Sequence, residues 1–414
     1  MNFTISSLHI SVLSNSPLIM RNHHSSNTIL RIRSSSFFKF TNPLLYSTSL
    51  SNIIQISKTR FKNFQNSCIH LNSVKNLLSK QKFETQTIFE EEYKLTDCIF
   101  LNCSAAQING SAIYTDFPVD MKNCLISGCL SSFGAIYTTT NINISFCSFI
   151  KNKGNMQAGD LTVRGKNSIT ILHYNVNTQA NAHLFASTYR QADGLSELKF
   201  NNFTKNMALA CVGVFEDSGG CTSYLYTIFD QNSAQIHNGC NVITKKEHST
   251  IDFCSFIRND HNSNEPVAAA AILAYLNSGE IILSDSIFFK NKRAGSHTLT
   301  FKYGTSVHFI RCCFSSDFNN EVSIDYYFEK VNNTGGLCKT HFDTSYYKEQ
   351  GYIKSRAFND KKLKLIKNKF EVTRFDVFWF LISSTFSFVF TAIIVRLYRR
   401  NKIFIYSFFR KNKL

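Results

Sequence analysis

A parallel β-helix solenoid, an all-β architecture, carried on a C-terminal single transmembrane α-helix is the fold this sequence predicts, and three observations predict it. The phrase Cys147-Ser-Phe-Ile-Lys-Asn152 returns as Cys254-Ser-Phe-Ile-Arg-Asn259, with Phe203-Thr-Lys-Asn206, Phe229-Asp-Gln-Asn232 and Phe288-Phe-Lys-Asn291 around them. Short apolar runs bounded by Asn, Ser, Gly and Lys lie between these phrases. Near the end, residues 377–395 make up 19 positions without a charge.

The phrase reads as a unit: an apolar ring or branched residue, two variable positions, then Asn. Its first positions fall at 100, 126, 149, 174, 203, 229, 256, 288 and 314, with spacings of 26, 23, 25, 29, 26, 27, 32 and 26. Recurrence at that spacing marks a solenoid, in which one short unit stacks on the next. In this register Tyr174 opens a unit that Asn177 closes, and Phe314 one that Asp317 closes. The second halves include Gly110-Ser-Ala-Ile-Tyr114, Gly134-Ala-Ile-Tyr137 and residues 268–275. Their length and flanking chemistry are those of strands, not of helices. With only 4 Pro in 414 residues, little interrupts strand pairing.

Stacking assigns roles within the phrase. Equivalent residues of adjacent coils lie about 4.8 Å apart. Phe over Phe makes an internal column, each ring contributing roughly 1.5–3 kcal/mol by burial. Asn over Asn makes an amide ladder, and Asn tolerates the left-handed backbone of a tight corner. Phe is therefore expected inside and Asn at the turn. The 39 Phe and the low 18% of charged residues both fit such a core.

Six segments follow in order. Residues 1–96 are Ser/Asn-rich and hold degenerate coils or a cap, with Phe40 and Phe64 24 apart. Residues 97–320 are the clear β-helix repeats. Residues 321–353, with Tyr326, Tyr327 and Phe328, form the C-terminal cap. A basic juxtamembrane stalk occupies 354–376, the transmembrane helix 377–395, and a basic tail 396–414. Nineteen residues rise about 28 Å, enough to cross a bilayer core. Trp379 lies near one end of the span, and Arg396, Arg399, Arg400 and Lys402 follow it. The tail mixes cations with Phe408 and Phe409, a composition that lies along a membrane face.

Orientation rests on weaker signals. Six Lys/Arg precede the span within 20 positions and seven follow it, so the positive-inside rule hardly discriminates. Sequons at Asn2, Asn102, Asn109, Asn143, Asn202 and Asn332, and 13 Cys, favour repeats outside and a cytoplasmic tail, at the cell surface. Residues 1–20 do not read as a standard signal peptide: no positive n-region is present, and His9 and Ser11 break the apolar stretch 8–13. A signal-anchor role for the span, an unusual leader and an incomplete start all stay open.

The net charge of +17 raises nucleic acid as a partner, but its distribution excludes one. It divides as +7 over residues 1–96, −2 over 97–353 and +12 over 354–414. The repeats are nearly neutral, and the C-terminal excess flanks the span, where it attracts anionic headgroups.

Cys98 and Cys103 are five apart, as are Cys124 and Cys129, one coil on. Cys147, Cys254 and Cys312 share the register of Cys98 and Cys124. Three readings remain: a column of small buried residues, disulfides between adjacent coils, or a metal site, for which this spacing is no zinc signature. The odd total leaves at least one thiol free or paired with another chain.

Phe-x-x-Asn units alternating with Gly-x-Ala-Ile units resemble the repeats of chlamydial polymorphic outer-membrane proteins, and related repeats of membrane-anchored protist surface proteins. The Phe-x-x-Asn half matches at 149–152, 203–206, 229–232, 256–259 and 288–291; the other half is degenerate, with Phe133 and Ser111 in glycine positions. The resemblance covers about 97–320. It implies a right-handed parallel β-helix and a surface or adhesive role. The bacterial proteins end in a membrane β-barrel, so the protist type is the better comparison.

The alternative is a polysaccharide-processing, pectin lyase-like enzyme. Such lyases need clustered acids for Ca²⁺ and a basic proton acceptor, and hydrolases need a carboxylate pair. Here the acids are scattered, no Asp-Asp pair occurs, and Glu90-Glu91-Glu92 precedes the clear repeats. His23-His24 and Gly219-Gly220 open no metal or phosphate motif. No catalytic, cofactor-binding or metal residues emerge, and no cofactor is implied. The expected partners are the lipid bilayer and a carbohydrate or protein ligand, bound along a near-neutral row of Asn, Thr and Ser on one face.

Overall fold

The computed structural model describes residues 2–338, apart from 12–16, 18, 22–27, 48–51, 73–92, 106–108, 166, 185–186, 218–219, 235–240, 245–247, 262–268, 276–278, 294–296, 303–305, 325–329 and 334. The chain divides into two units, Met1–Leu363 and Lys364–Leu414. The second, with the predicted span at 377–395, lies outside the described residues. No helix among the described residues is long and apolar enough to cross a membrane.

The first unit is an all-β, right-handed parallel β-solenoid. Its strands stack into four parallel sheets. Sheet I has 13 strands, from Asn2–Ser6 to Lys330–Asn333, and sheet II has 13, from His9–Ser11 to Gly336–Leu337. Sheet III has 8 two-residue strands, from Ser104–Ala105 to Lys292–Arg293, and sheet IV has 12, from Ile19–Arg21 to Val322–Ile324. Eight coils, from Tyr93 to Lys302, visit I, II, III and IV in turn. Three coils of sheets I, II and IV precede Tyr93, so coiling extends well into the Ser/Asn-rich N-terminal stretch.

Alternation sets the faces. In Ile142–Ser145, Ile142 and Ile144 are buried while Asn143 and Ser145 are half-buried, the period-2 pattern of strands with one buried face. The apolar column of sheet II runs Phe37, Phe61, Phe100, Ile126, Phe149, Asn177, Phe203, Phe229, Phe256, Phe288 and Phe314 in register. From Phe203 to Phe314 the rings stack with centroids 4.8–5.4 Å apart and planes within 12°. A one-turn helix, Phe318–Glu321, sets the Phe318 ring edge-on to Phe309 and Phe314, 5.0 and 5.4 Å away. That ring packs on the C-terminal end of the core.

Two expectations about the phrase need correction. Tyr174 does not open a core position: Asn177 occupies the Phe column, paired with Phe149 and Phe203. Tyr174 instead sits at the corner between sheets I and II, at φ 57°. The phrase's Asn does not turn the chain either. The left-handed residue is the one before it: Lys151, Lys205, Gln231, Arg258 and Lys290, at φ 53–57°. A left-handed residue takes the following N–H out of the strand ladder, and the Asn side chain repairs the gap. Asn232 Oδ1 accepts from the Asn206 N–H at 3.0 Å while its Nδ2 donates to Phe203 O at 2.9 Å. Asn259 and Asn291 repeat both bonds on the coil before them. Asn152, Asn206, Asn232 and Asn259 are all buried, so the ladder is interior.

The cysteine column is real and buried. Ser35, Thr59, Cys98, Cys124, Cys147, Asn175, Asn201, Thr227, Cys254, Ser286 and Cys312 each stand two residues before the sheet II column position. All are buried, and its five cysteines are free thiols. Among the described residues one disulfide, Cys313–Cys338, joins adjacent coils. Among the described residues no group of three His, Cys, Asp or Glu is placed to hold a metal. Of the sequons, Asn102 is exposed at a left-handed corner, whereas Asn202 is buried inside the folded coil.

Candidate ligand-binding face

In sheet IV the second residue of each strand from Leu45–Ser47 to Val214–Asp217 lies on the side away from the apolar core, and most of these positions are aromatic. Register puts Tyr46, His70, Tyr114, Tyr137, Thr162, Tyr189 and Phe215 in one line. Tyr46 stacks on His70 at 5.2 Å, His70 on Tyr114 at 4.5 Å and Tyr114 on Tyr137 at 5.4 Å, with planes within 24°. Thr162 interrupts the rings, and Arg164 fills the gap. Its guanidinium lies 5.2 Å from the Phe133 ring centroid and 5.6 Å from that of Tyr189, a cation–π arrangement. Tyr189 then stacks on Phe215 at 5.5 Å.

Neighbouring charges tune the stripe. Burial pushes the Tyr114 phenol up to about 12, with Asp116 adding to the rise. Tyr137 and Tyr189 are also raised by burial, against the opposing pull of Arg164. Burial lowers His70, opposed by Asp116, which favours the neutral imidazole. Asp116 accepts a hydrogen bond from Thr139 Oγ1 at 2.7 Å, one coil away. At the N-terminal end, Pro17, Asn42, Pro43, Tyr46, Asn66 and His70 line a hollow of about 280 Å³. The stripe therefore offers neutral phenols, one imidazole and one guanidinium at a fixed axial repeat.

A second stripe lies at the corner between sheets I and II. Phe146, Tyr174, Phe200, Tyr226 and Phe253 are left-handed, at φ 49–57°, and half-buried. Their rings stack at 4.7–5.0 Å. The sequence carries a signal for it, an aromatic residue three positions before the sheet II column position: 146 before 149, 200 before 203, 226 before 229 and 253 before 256. Tyr174 before Asn177 follows the same rule.

Most carboxylates of the described coils are engaged by a neighbour. Asp230 pairs with Arg258 at 2.7 Å and Asp285 with Arg311 at 2.5 Å, each one coil away. Glu197 meets His173 at 2.6 Å and Lys199 at 3.0 Å. Glu280 is bridged by His248 and His308, at 3.3 and 3.2 Å. Two acids lie inside the solenoid. Asp160 accepts from Asn152 Nδ2 at 2.9 Å, Asn177 Nδ2 at 3.0 Å and Ser187 Oγ at 2.9 Å, and burial raises it to about 6. Glu216 pairs with Arg190 at 3.0 Å, both fully buried. Arg190 also donates to Thr170 Oγ1 and Ser168 O, at 3.1 and 2.8 Å.

The phrase's Asn residues Asn152, Asn206, Asn232 and Asn259 point inward, so they do not contribute to a row of Asn, Thr and Ser on an outer face. Tyr114 and Tyr137 ended two of the short apolar runs in the sequence, but their alignment with Tyr46 and His70 depends on N-terminal coils that carry no Phe-x-x-Asn phrase. Comparison with protein families, with curated proteins and with solved structures finds no match to this chain.

Proposed function

We propose that this chain is a single-pass, membrane-anchored surface protein that displays its solenoid for adhesion or as a surface coat, without catalysis. The sheet IV stripe from Tyr46 to Phe215 is the observation that carries this reading. It is a linear row in which Tyr46, His70, Tyr114 and Phe215 are half-buried and Tyr137, Thr162 and Tyr189 are buried. Its half-buried rings suit a carbohydrate or protein ligand, since partly wet aromatic residues are efficient contact groups. The acids add support: an acid held by a neighbouring cation or amide is poorly placed to act as general acid or base. The uncharged segment 377–395 supplies the anchor, with the repeats outside and the tail cytoplasmic. The likeness of the repeats to those of membrane-anchored protist surface proteins agrees with that placement.

Two measurements test the reading. Protease applied to intact cells should remove the repeats while a C-terminal tag stays protected; repeats that survive without permeabilisation defeat the surface placement. The purified full chain should bind members of a panel of carbohydrates and matrix proteins. Tyr114→Ala with Tyr137→Ala should weaken that binding at least about tenfold, the loss expected of central aromatic anchors, while the chain still folds. Undiminished binding by this pair defeats the assignment of the stripe.

A further inference from the structure

Cys68 immediately precedes the sheet IV strand Ile69–Leu71, and Cys103 follows the sheet II strand Ile99–Leu101 of the next coil. Their thiols meet across the interior with Sγ atoms 3.2 Å apart, although the residues are 35 positions apart in the chain. That gap is only about 1 Å more than a disulfide bond. Both side chains are fully buried and free. Other sulfur contacts are longer: Cys68 Sγ lies 3.8 Å from Ser111 O, and Cys103 Sγ 3.5 Å from Leu101 O. Cys129, one coil further in the column of Cys103, also interacts with the Cys103 side chain, and its sulfur lies 3.8 Å from Ser127 O.

We propose that Cys68 and Cys103 are an oxidation site that closes to an inter-coil disulfide when the chain folds in the presence of a disulfide oxidant. The bond would tie the three N-terminal coils to the rest of the solenoid, bracketing residues 73–92. At the other end Cys313–Cys338 links adjacent coils in the same way.

The chemistry balances with an oxidant of the glutathione-disulfide or protein-disulfide class. One thiolate attacks the oxidant, forming a mixed disulfide and releasing one thiol. The second thiolate attacks the protein sulfur of that mixed disulfide and releases the other thiol. Two protein thiols are oxidised, one Sγ–Sγ bond forms, and the oxidant's disulfide is reduced to two thiols. Burial raises both thiols, so the closed solenoid resists exchange. The reaction belongs to the stage before the two coils seal the interior. It depends only on the chain and an oxidant, so it stands apart from the proposed surface role.

The test refolds reduced full-length chain in a glutathione and glutathione-disulfide buffer, alkylates free thiols, and maps peptides without reduction. The expected result is a Cys68–Cys103 cross-linked peptide, two hydrogens lighter than its reduced parts, beside the Cys313–Cys338 peptide. Cys68→Ser and Cys103→Ser should each abolish it, and Cys129→Ser should keep it. Reductant should lower the melting temperature of the wild-type chain more than that of Cys68→Ser. Chain that has formed Cys313–Cys338 but carries alkyl groups on both Cys68 and Cys103 overturns the proposal. So does a Cys103–Cys129 peptide in its place.

Discussion

The coils up to Cys129 and those from Asn152 to Asn291 use the same corners but fill them differently. In the column after the sheet II corner, the early coils carry Phe40, Phe64, Cys103 and Cys129. Phe40 and Phe64 stack at 5.1 Å. The later coils carry Asn152, Asn206, Asn232, Asn259 and Asn291, whose amides bond the backbone of the preceding coil, with Ala180 standing in the column between Asn152 and Asn206. The column before sheet II divides less sharply, since Thr227, Cys254 and Ser286 of the later coils turn back to the carbonyl two residues before themselves, at 3.3, 3.3 and 2.8 Å, just as the earlier residues do. Ser35, Thr59, Cys98, Cys124 and Cys147 turn back to the carbonyl two residues before themselves, at 2.8–3.4 Å. Asn175 and Asn201 instead reach the previous coil, donating to Ile144 O and Leu172 O. The early coils fill the column after sheet II with rings and thiols, whose packing is less directional than an amide's hydrogen bonds. The later ones are bolted together by directional bonds. Those bonds make the later coils more dependent on one another, because each amide lost strands groups on its neighbour.

The largest expected effect lies in the polar interior of the later region. Arg190→Met leaves the Glu216 carboxylate buried without its ion pair, and removal of one partner of a buried pair costs about 3–5 kcal/mol. Adding Glu216→Leu should recover most of that loss. Urea unfolding of the single and double variants measures both. A single variant as stable as wild type would mean that the interior admits water at this level and is less sealed than the early coils.

Asp160 gives the next effect, through pH. Its folded value of about 6 lies above the ordinary 3.8, so the protonated carboxyl is the form that folding favours. Its stabilising contribution is complete below about 3.8 and is lost as pH rises through about 6. At pH 7 the ionised, buried group is therefore a cost, of order 3 kcal/mol at most for a shift of about two units. Asp160→Asn should remove that part of the stability–pH profile between pH 4 and 7. Denaturant midpoints across that range check it, with Asp120, which is half-buried on sheet I, as the reference substitution. The early coils carry Cys68, Ala112 and Ala135 at this position before sheet IV, and have no counterpart to the effect.

The sequence made the solenoid legible because Phe columns repeat at coil spacing and nothing else in the chain competes with that period. Its misreadings have physical causes. Tyr174 was drawn into the core because aromatic residues recur three positions apart, one inward at the sheet II column and one on the left-handed corner. Only strand register separates them, and register shows in the hydrogen bonds more than in the composition. The sequence predicts the amide ladder but puts its Asn at the turn itself. A side chain that repairs a corner and one that makes a corner leave the same residue in nearly the same place. The sheet IV stripe was hidden for a third reason: its members sit in a half-unit with variable loops before it, so their spacing drifts. Cys68 lay outside the recognised phrase, and its meeting with Cys103 depends on three-dimensional packing between coils.

The smallest effect sharpens the comparison most. Asn232→Cys takes away the acceptor of the Asn206 N–H and the donor to Phe203 O, leaving two buried backbone groups to find other partners. At a net worth of about 0.5–1.5 kcal/mol for each hydrogen bond lost, a loss of about 1–3 kcal/mol is expected. The reverse change, Cys129→Asn, introduces the amide where the early coils have a thiol. The corner before Cys129 is left-handed at Gly128, like the corners before the Asn residues, and the adjacent Asn152 already bonds the Cys129 N–H at 2.9 Å. The added amide should find the Cys103 N–H and Phe100 O in the same relation, so the change should stay within about 1 kcal/mol despite the extra volume. Equal destabilisation by the two swaps, measured by urea unfolding, would show that the thiol coils differ in backbone as well as in filling. A neutral Cys129→Asn beside a costly Asn232→Cys would show that the corner accepts an amide wherever it occurs. In that case the early coils could have extended the ladder, and their thiols are a separate feature of that end of the solenoid.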